Sequence, residues 1–230
     1  MSTRPTKPQA IGRQALADHV YEEIFASVID GRLEASSSIS IERIAREMRV
    51  SPTPVREALA RLECTGLVLR MALRGYRVAP LFTQSDLVEL LDARLVIEPV
   101  NALRACQRAT PQLTDALESA IVDRKNAPSG GAAFTEYREA WEADERFHRL
   151  IAESAANHFL VTAYHSMGGH IQRFRSFGYL SVGDADLTIQ EHAAILEAFK
   201  AENPEEARES MIAHISKLKD RSVKHAAEHS

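Results

Sequence analysis

Four residues have the side chains that a metal ion selects. Asp144 and His148 stand four apart, and His192 and His214 follow in two later stretches. Ile189, Ile195 and Leu196 surround His192, while Met211, Ile212, Ile215 and Leu218 surround His214 at helical spacing. Residues four apart share a helix face, so Asp144 and His148 point the same way. An imidazole in the core-facing stripe of a helix needs a partner, because an unpaired buried polar group is costly. One divalent metal held by three imidazoles and a carboxylate would satisfy all four residues at once. Separate hydrogen bonds to each histidine would satisfy them too, and spacing alone leaves both readings open.

A second group has the spacing to meet nucleic acid. Ser51-Pro52-Thr53-Pro54-Val55-Arg56-Glu57-Ala58-Leu59-Ala60-Arg61-Leu62 predicts a helix with Ser51 as N-cap, Pro52 in its first turn and Gly66 as its stop. Val55, Leu59 and Leu62 keep the 3.6-residue period of a buried stripe. Thr53, Arg56 and Ala60 fall on another face, short enough for close approach to a major groove. Arg56 there would fork onto a guanine edge or a phosphate.

The elements that must position these residues follow. Ile41, Ile44, Ala45 and Met48 predict a short amphipathic helix, and Arg49-Val50 a tight connection into Ser51, which is a helix-turn-helix pattern. Leu67–Arg70 and Gly75–Val78 predict a two-stranded wing, and Val20, Ile24, Val28 and Ile29 a first helix ending near Gly31. Arg43, Arg46 and Ser51 are expected on the DNA backbone, with Arg74-Gly75 at the wing tip on the minor groove or phosphates. From residue 85 onward helices are expected at 86–107, 111–125, 133–154, 157–177, 186–201 and 204–224, with 126–132 the clearest loop. No strand pattern interrupts them, which predicts an all-α antiparallel helical bundle. The chain is therefore expected to be mainly α. A tail (1–12) precedes a winged helix-turn-helix domain (13–80), and a linker (81–85) leads to a bundle (86–224) and a second tail (225–230).

Net charge is −4, yet residues 1–80 hold 12 Lys and Arg against 9 Asp and Glu, while the remainder holds 16 against 23. DNA contact is thus expected in the first domain, with acidic repulsion elsewhere. No apolar run nears the roughly 18 residues of a membrane span, and no signal-peptide stretch opens the chain, so a cytoplasmic protein with no membrane partner is expected. Cys64 and Cys106 lack disulfide-framework or metal-motif spacing, and Cys64 is expected to be a packing residue.

The run Ser51 to Leu59, with Arg61-Leu62-Glu63, Gly66-Leu67-Val68 and Gly75-Tyr76-Arg77-Val78, resembles the GntR family of bacterial transcription regulators. Asp144-Glu145-Arg146-Phe147-His148, Asn157, Glu191-His192, Ala207 and His214-Ile215 resemble the ligand-sensing domain of its FadR-type subfamily, called FCD. The resemblance implies a regulator rather than an enzyme. It also implies a metal on Asp144, His148, His192 and His214, with zinc the first candidate and nickel or manganese behind it. Arg94, in the matching Arg94-x-x-x-Glu98, is implied to line a pocket and pair with the carboxylate of a small organic acid effector. One recognition helix per chain is a small reader, so a homodimer on an inverted-repeat operator in double-stranded DNA is expected, with sensing-domain helices as its interface. Pro52 stands where some relatives carry a polar or basic side chain, which removes one base contact. Two other readings stay open: a metal-dependent hydrolase, and a regulator whose metal is purely structural. The hydrolase lacks an obvious general base, since Glu145 and Glu191 neighbour ligands but are expected to point off the ligand face.

Overall fold

Apolar residues at helical period decide where each element buries its face, and they sort the chain into two compact units, residues 1–79 and 80–230. The structure is a computed structural model describing residues 13–128, 134–176 and 184–228. The expected tail at 1–12, residues 129–132 of the expected 126–132 loop and residues 229–230 lie outside them.

In the first unit α1 (Arg13–Ile29), β1 (Ser38–Ile39), α2 (Ile41–Glu47), α3 (Pro52–Cys64), β2 (Val68–Met71) and β3 (Gly75–Val78) follow in order. Val20, Ile24 and Val28 of α1 are buried, as are Ile44 and Ala45 of α2 and Val55, Leu59 and Leu62 of α3. Each such Val, Leu or Ile side chain stabilises the unit by about 1.5–3 kcal/mol. The Ser40 hydroxyl caps α2, accepting from the Arg43 N–H at 3.2 Å. At the other end Arg49 takes φ 55°. That conformation lets Val50 N–H reach Ala45 O at 2.9 Å and Arg49 N–H reach Arg46 O at 3.2 Å. This paired closure is a Schellman turn, and it aims α3 away from α2.

Three details depart from the sequence reading. The two expected wing strands do pair, as β2 and β3, but β1 adds a third strand to them, pairing antiparallel with β3 through Ser38↔Arg77 and Ile39↔Tyr76. Two residues are too few to show alternation in sequence. Ser51 does stand at the N-cap of α3, but its side chain makes no capping hydrogen bond. A capping oxygen accepts from the second or third helical N–H, and the third position here is Pro54, which has none. Cys64 is exposed rather than packed.

The second unit holds α4 (Gln84–Cys106), α5 (Pro111–Asn126), α6 (Phe134–Ser154), α7 (His158–Ser176), α8 (Asp184–Lys200) and α9 (Pro204–Glu228). A Thr83–Asp86 capping box starts α4 inside the expected linker, and α9 runs on into the expected second tail. Leu87, Leu91, Leu117, Phe147, Ile151, Ile195, Phe199, Met211 and Ile215 build one core. α4 packs along α9, α6 and α7, and α8 packs against α5 and α9. α4 and α6 run the same way, because His148 lies beside Glu98 and Arg104 Nε donates to Ala155 O. That alignment brings Arg94 and Glu98 alongside Asp144 and His148.

Candidate metal centre and DNA interface

His148 on α6, His192 on α8 and His214 on α9 converge, each no more than 2% exposed. One nitrogen from each lies within 4.8 Å of the other two. Their ring centroids are 4.8–5.1 Å apart. Phe147 lies flat against His192 at 4.1 Å between centroids, closing one side with an apolar wall. Asp144 is only partly buried, and its Oδ1 lies 3.7 Å from His192 Nε2. The compact cluster is therefore the three imidazoles, with the carboxylate at its edge. Trp141, one turn before Asp144 on α6, is half-buried.

Two of the histidines are gripped from behind by carboxylates. His214 Nδ1 lies 2.8 Å from Glu191 Oε2, and Arg221 holds the same carboxylate with two further bonds of 2.7 and 3.1 Å. His148 Nδ1 lies 2.7 Å from Glu98 Oε2, although off the line of a straight hydrogen bond. A carboxylate at Nδ1 keeps the proton there and turns the Nε2 lone pair outward, as in carboxylate–histidine–metal arrangements. The Nε2 atoms of His148 and His214 are buried without a hydrogen-bond partner. Burial, helped by the nearby Arg94 guanidinium, pushes the His214 imidazole down to about 4, despite its bond to Glu191. It is neutral at physiological pH, the form that ligates metal. Burial would raise the Glu191 carboxyl, but its hydrogen bonds to His214 and Arg221 hold it down at about 2.

These residues fit a divalent ion. Metal–imidazole bonds are about 2.0–2.1 Å, so the three rings would each close in by less than about 1 Å. A nitrogen-rich set suits zinc, nickel, copper or iron better than calcium or magnesium.

Arg94 and Glu98 lie buried together on α4, paired through Arg94 Nε and Nη2. Burial disfavours both charges, yet each holds the other ionised: the Glu98 carboxyl sits well below its usual range, the guanidinium above its own. Arg94 therefore cannot offer an effector the whole fork, since Glu98 already occupies one edge. Its Nη1 remains buried without a hydrogen-bond partner. Asn101, one turn beyond Glu98 on the same helix face, is 1% exposed, and neither its oxygen nor its nitrogen has a hydrogen-bond partner.

Sequence reasoning missed Glu191 as a partner of this site, as well as Arg221 and Asn101. Glu191 does point away from His192, but that direction leads to His214. Glu145 pairs with Arg149 at 3.3 Å. His158, His165 and His170 are exposed.

The expected DNA contacts cluster differently. Thr53, Arg56 and Ala60 are exposed on α3, opposite the buried Val55–Leu59–Leu62 stripe. Ser51, Arg43, Arg46, Arg74 and Gly75 are exposed as well. Arg43 touches Glu47 only loosely, at 3.9 Å. Arg61 does not join this face: it bonds Asp18 at 2.6 Å and lies over the Tyr21 ring.

A winged helix-turn-helix unit followed by a helical bundle is the architecture of a DNA-binding regulator, and the bundle here holds a buried histidine cluster that could coordinate a metal ion. Residues 16–78 match the model of bacterial regulatory proteins of the gntR family, and residues 89–217 match the FCD domain. The chain belongs to the GntR family, as a regulator with an FCD domain; this is a family of transcription regulators, not of enzymes. It is 24% identical over 196 residues to the uncharacterized HTH-type transcriptional regulator YdhC of Bacillus subtilis, covering 85% of this chain and 86% of that protein. It is 26% identical over 208 residues to the probable D-xylose utilization operon transcriptional repressor of Paenarthrobacter nicotinovorans, covering 89% and 87%. The solved structure of E. coli McbR/YncC shares the fold, with a TM-score of 0.70 at 18% identity over 93% of this chain and 98% of that one. Among the described residues no helix is long and apolar enough to cross a membrane.

Proposed function

We propose that the chain is a FadR-type regulator in the cytoplasm, a homodimer whose hold on an inverted-repeat operator is set by a small organic acid at a metal in the FCD domain. The observation that carries the reading is the back-gripped histidine pair. Two imidazoles held at Nδ1 by Glu98 and Glu191 leave buried Nε2 atoms with no hydrogen-bond partner, which is costly in a protein without a ligand there. His148, His192 and His214, with Asp144 beside them, would hold the ion, zinc before nickel or manganese. When bound, the metal supplies a Lewis-acidic position for an oxygen ligand.

The chain's own residues do the rest. Arg94 Nη1 receives the effector's carboxylate, and Glu98 keeps the guanidinium oriented and charged. Asn101 offers a donor and an acceptor to a further polar group of the effector. On DNA, Arg56 and Thr53 read base edges or phosphate from α3. Arg43, Arg46 and Ser51 hold the backbone, and Arg74 with Gly75 carries the wing tip to the minor groove or phosphates. Effector binding shifts a balance of states by no more than its difference in affinity between them.

The test combines elemental analysis of the purified full-length protein with thermal melting before and after chelation. A bound stoichiometric metal is expected, along with a lower melting temperature on chelation that added zinc restores. The His192→Ala variant should show neither. Protein that contains no metal and whose melting does not respond to zinc would overturn the metal reading. Operator selection from random DNA tests the regulator reading separately.

A further inference from the structure

The wing holds a residue that the DNA contacts above do not use. β2 and β3 pair down to Met71↔Gly75, leaving Ala72, Leu73 and Arg74 as the tip. Arg74 N–H donates to Met71 O at 3.0 Å, which makes Leu73 the third residue of a tight turn. Leu73 takes φ 59° there. Positive φ at that position belongs to the turn type that normally requires glycine, and for a bulky side chain it is a genuine outlier. Among the described residues the other non-glycine positions with positive φ are Ser36, Arg49, Ala156 and Glu202. Arg49, Ala156 and Glu202 stand just past helix ends, where this conformation is a normal stop. Leu73 has no such reason, and its side chain is fully exposed, more so than any other large apolar residue described.

Strain at a site that serves no packing is an argument for function. The charge around Leu73 names the partner. Residues 68–78 carry Arg70, Arg74 and Arg77 and no acidic residue, which suits a phosphate-lined groove and not an apolar protein surface. Apolar side chains at the end of a basic element enter the minor groove as wedges, partly unstacking a base step and bending the duplex.

We infer that Leu73 is a minor-groove wedge that bends operator DNA and favours an easily unstacked pyrimidine–purine step beneath the wing. Arg74 beside it holds the flanking phosphate or groove floor. Sequence preference then arises at a step the side chain reads through its deformability and not through hydrogen bonds. The inference rests on the DNA-binding reading above.

The experiment starts with sites selected from random duplex DNA by the full-length wild-type protein. Binding, bending by fluorescence energy transfer, and unstacking by a fluorescent adenine analogue placed at the step under the wing are then measured for wild type and Leu73→Gly. Glycine relieves the strained φ, so the variant should fold and melt no lower than wild type. Its affinity for the selected site is expected to fall about tenfold or more, with loss of the bend and of the analogue's signal. Sites selected by Leu73→Gly should no longer favour pyrimidine–purine steps at that position. Equal affinity and equal bend in Leu73→Gly would overturn the inference. An affinity loss without bend or unstacking in the wild-type complex would overturn it equally, making Leu73 a plain surface contact. If wild type selects no site at all, the regulator reading itself falls.

Discussion

The two units place their chemistry in opposite environments. In the first, Arg43, Arg46, Ser51, Thr53, Arg56 and Arg74 are exposed to solvent. In the second, Arg94, Glu98, Asn101, His148, His192 and His214 are each at most 2% exposed. An exposed cation costs the fold almost nothing to keep or to change. A buried one is bound to stability, because its partner is left charged and dry when it is removed. The exposed residues proposed to meet DNA are thus free to vary by substitution, whereas the buried cluster is tied to the packing around it.

The comparison breaks first at Glu98. Glu98→Ala leaves Arg94 buried without its counter-charge, and denaturant unfolding of the second unit is expected to lose about 3–5 kcal/mol. A loss below 1 kcal/mol would mean that Arg94 has another anion at hand. Acid should act next. The folded His214 imidazole lies near 4, against an ordinary 6.5, so between these values the unfolded chain binds more protons than the folded one. Stability of the chelated protein should therefore fall as pH drops from 6.5 towards 4, and Glu191, held near 2 from an ordinary 4.5, should extend the loss below that. His214→Gln should flatten the upper part of that slope in pH-dependent melting.

On the exposed side, Arg56→Ala should cost about 1–3 kcal/mol of operator discrimination if Arg56 reads a base, while stability moves by less than about 0.5 kcal/mol. Competition binding and melting on one preparation separate the two. Asn101→Leu sharpens the contrast within the buried set. It removes a carboxamide with no hydrogen-bond partner, so the melting temperature should hold or rise, by the equivalent of about 1 kcal/mol. Any effector identified for the wild type should bind Asn101→Leu more weakly in calorimetry. The smallest effect is expected at Ser51. Ser51→Ala should spare stability within about 0.5 kcal/mol, unlike a working cap, yet weaken DNA binding evenly across sequences and flatten its salt dependence.

What the sequence made legible was local. α3 declares itself through its period, its prolines and Gly66 within one short run, and a histidine inside an apolar stripe is an anomaly visible without any structure. Pairings between elements leave no such trace. Glu98 against His148 joins α4 to α6, and Arg221 against Glu191 joins α9 to α8, so neither follows from periodicity. Glu191 turns off the face of His192 as expected, because neighbouring helix residues point about 100° apart, but which helix that turn meets is not written in the sequence: it is α9, at His214. The idle hydroxyl of Ser51, by contrast, was readable: Pro54 three positions on already lacks the N–H it would have bonded.

Trp141 gives the molecule a built-in optical reporter. It is the chain's single tryptophan, half-buried one turn from Asp144 on the helix that also supplies His148. The DNA-binding unit contains none, so indole emission from the whole protein originates on α6, one turn from Asp144. The metal loading and effector entry proposed above would be followed in the intact chain without a label, and with DNA present, against a unit that has no indole.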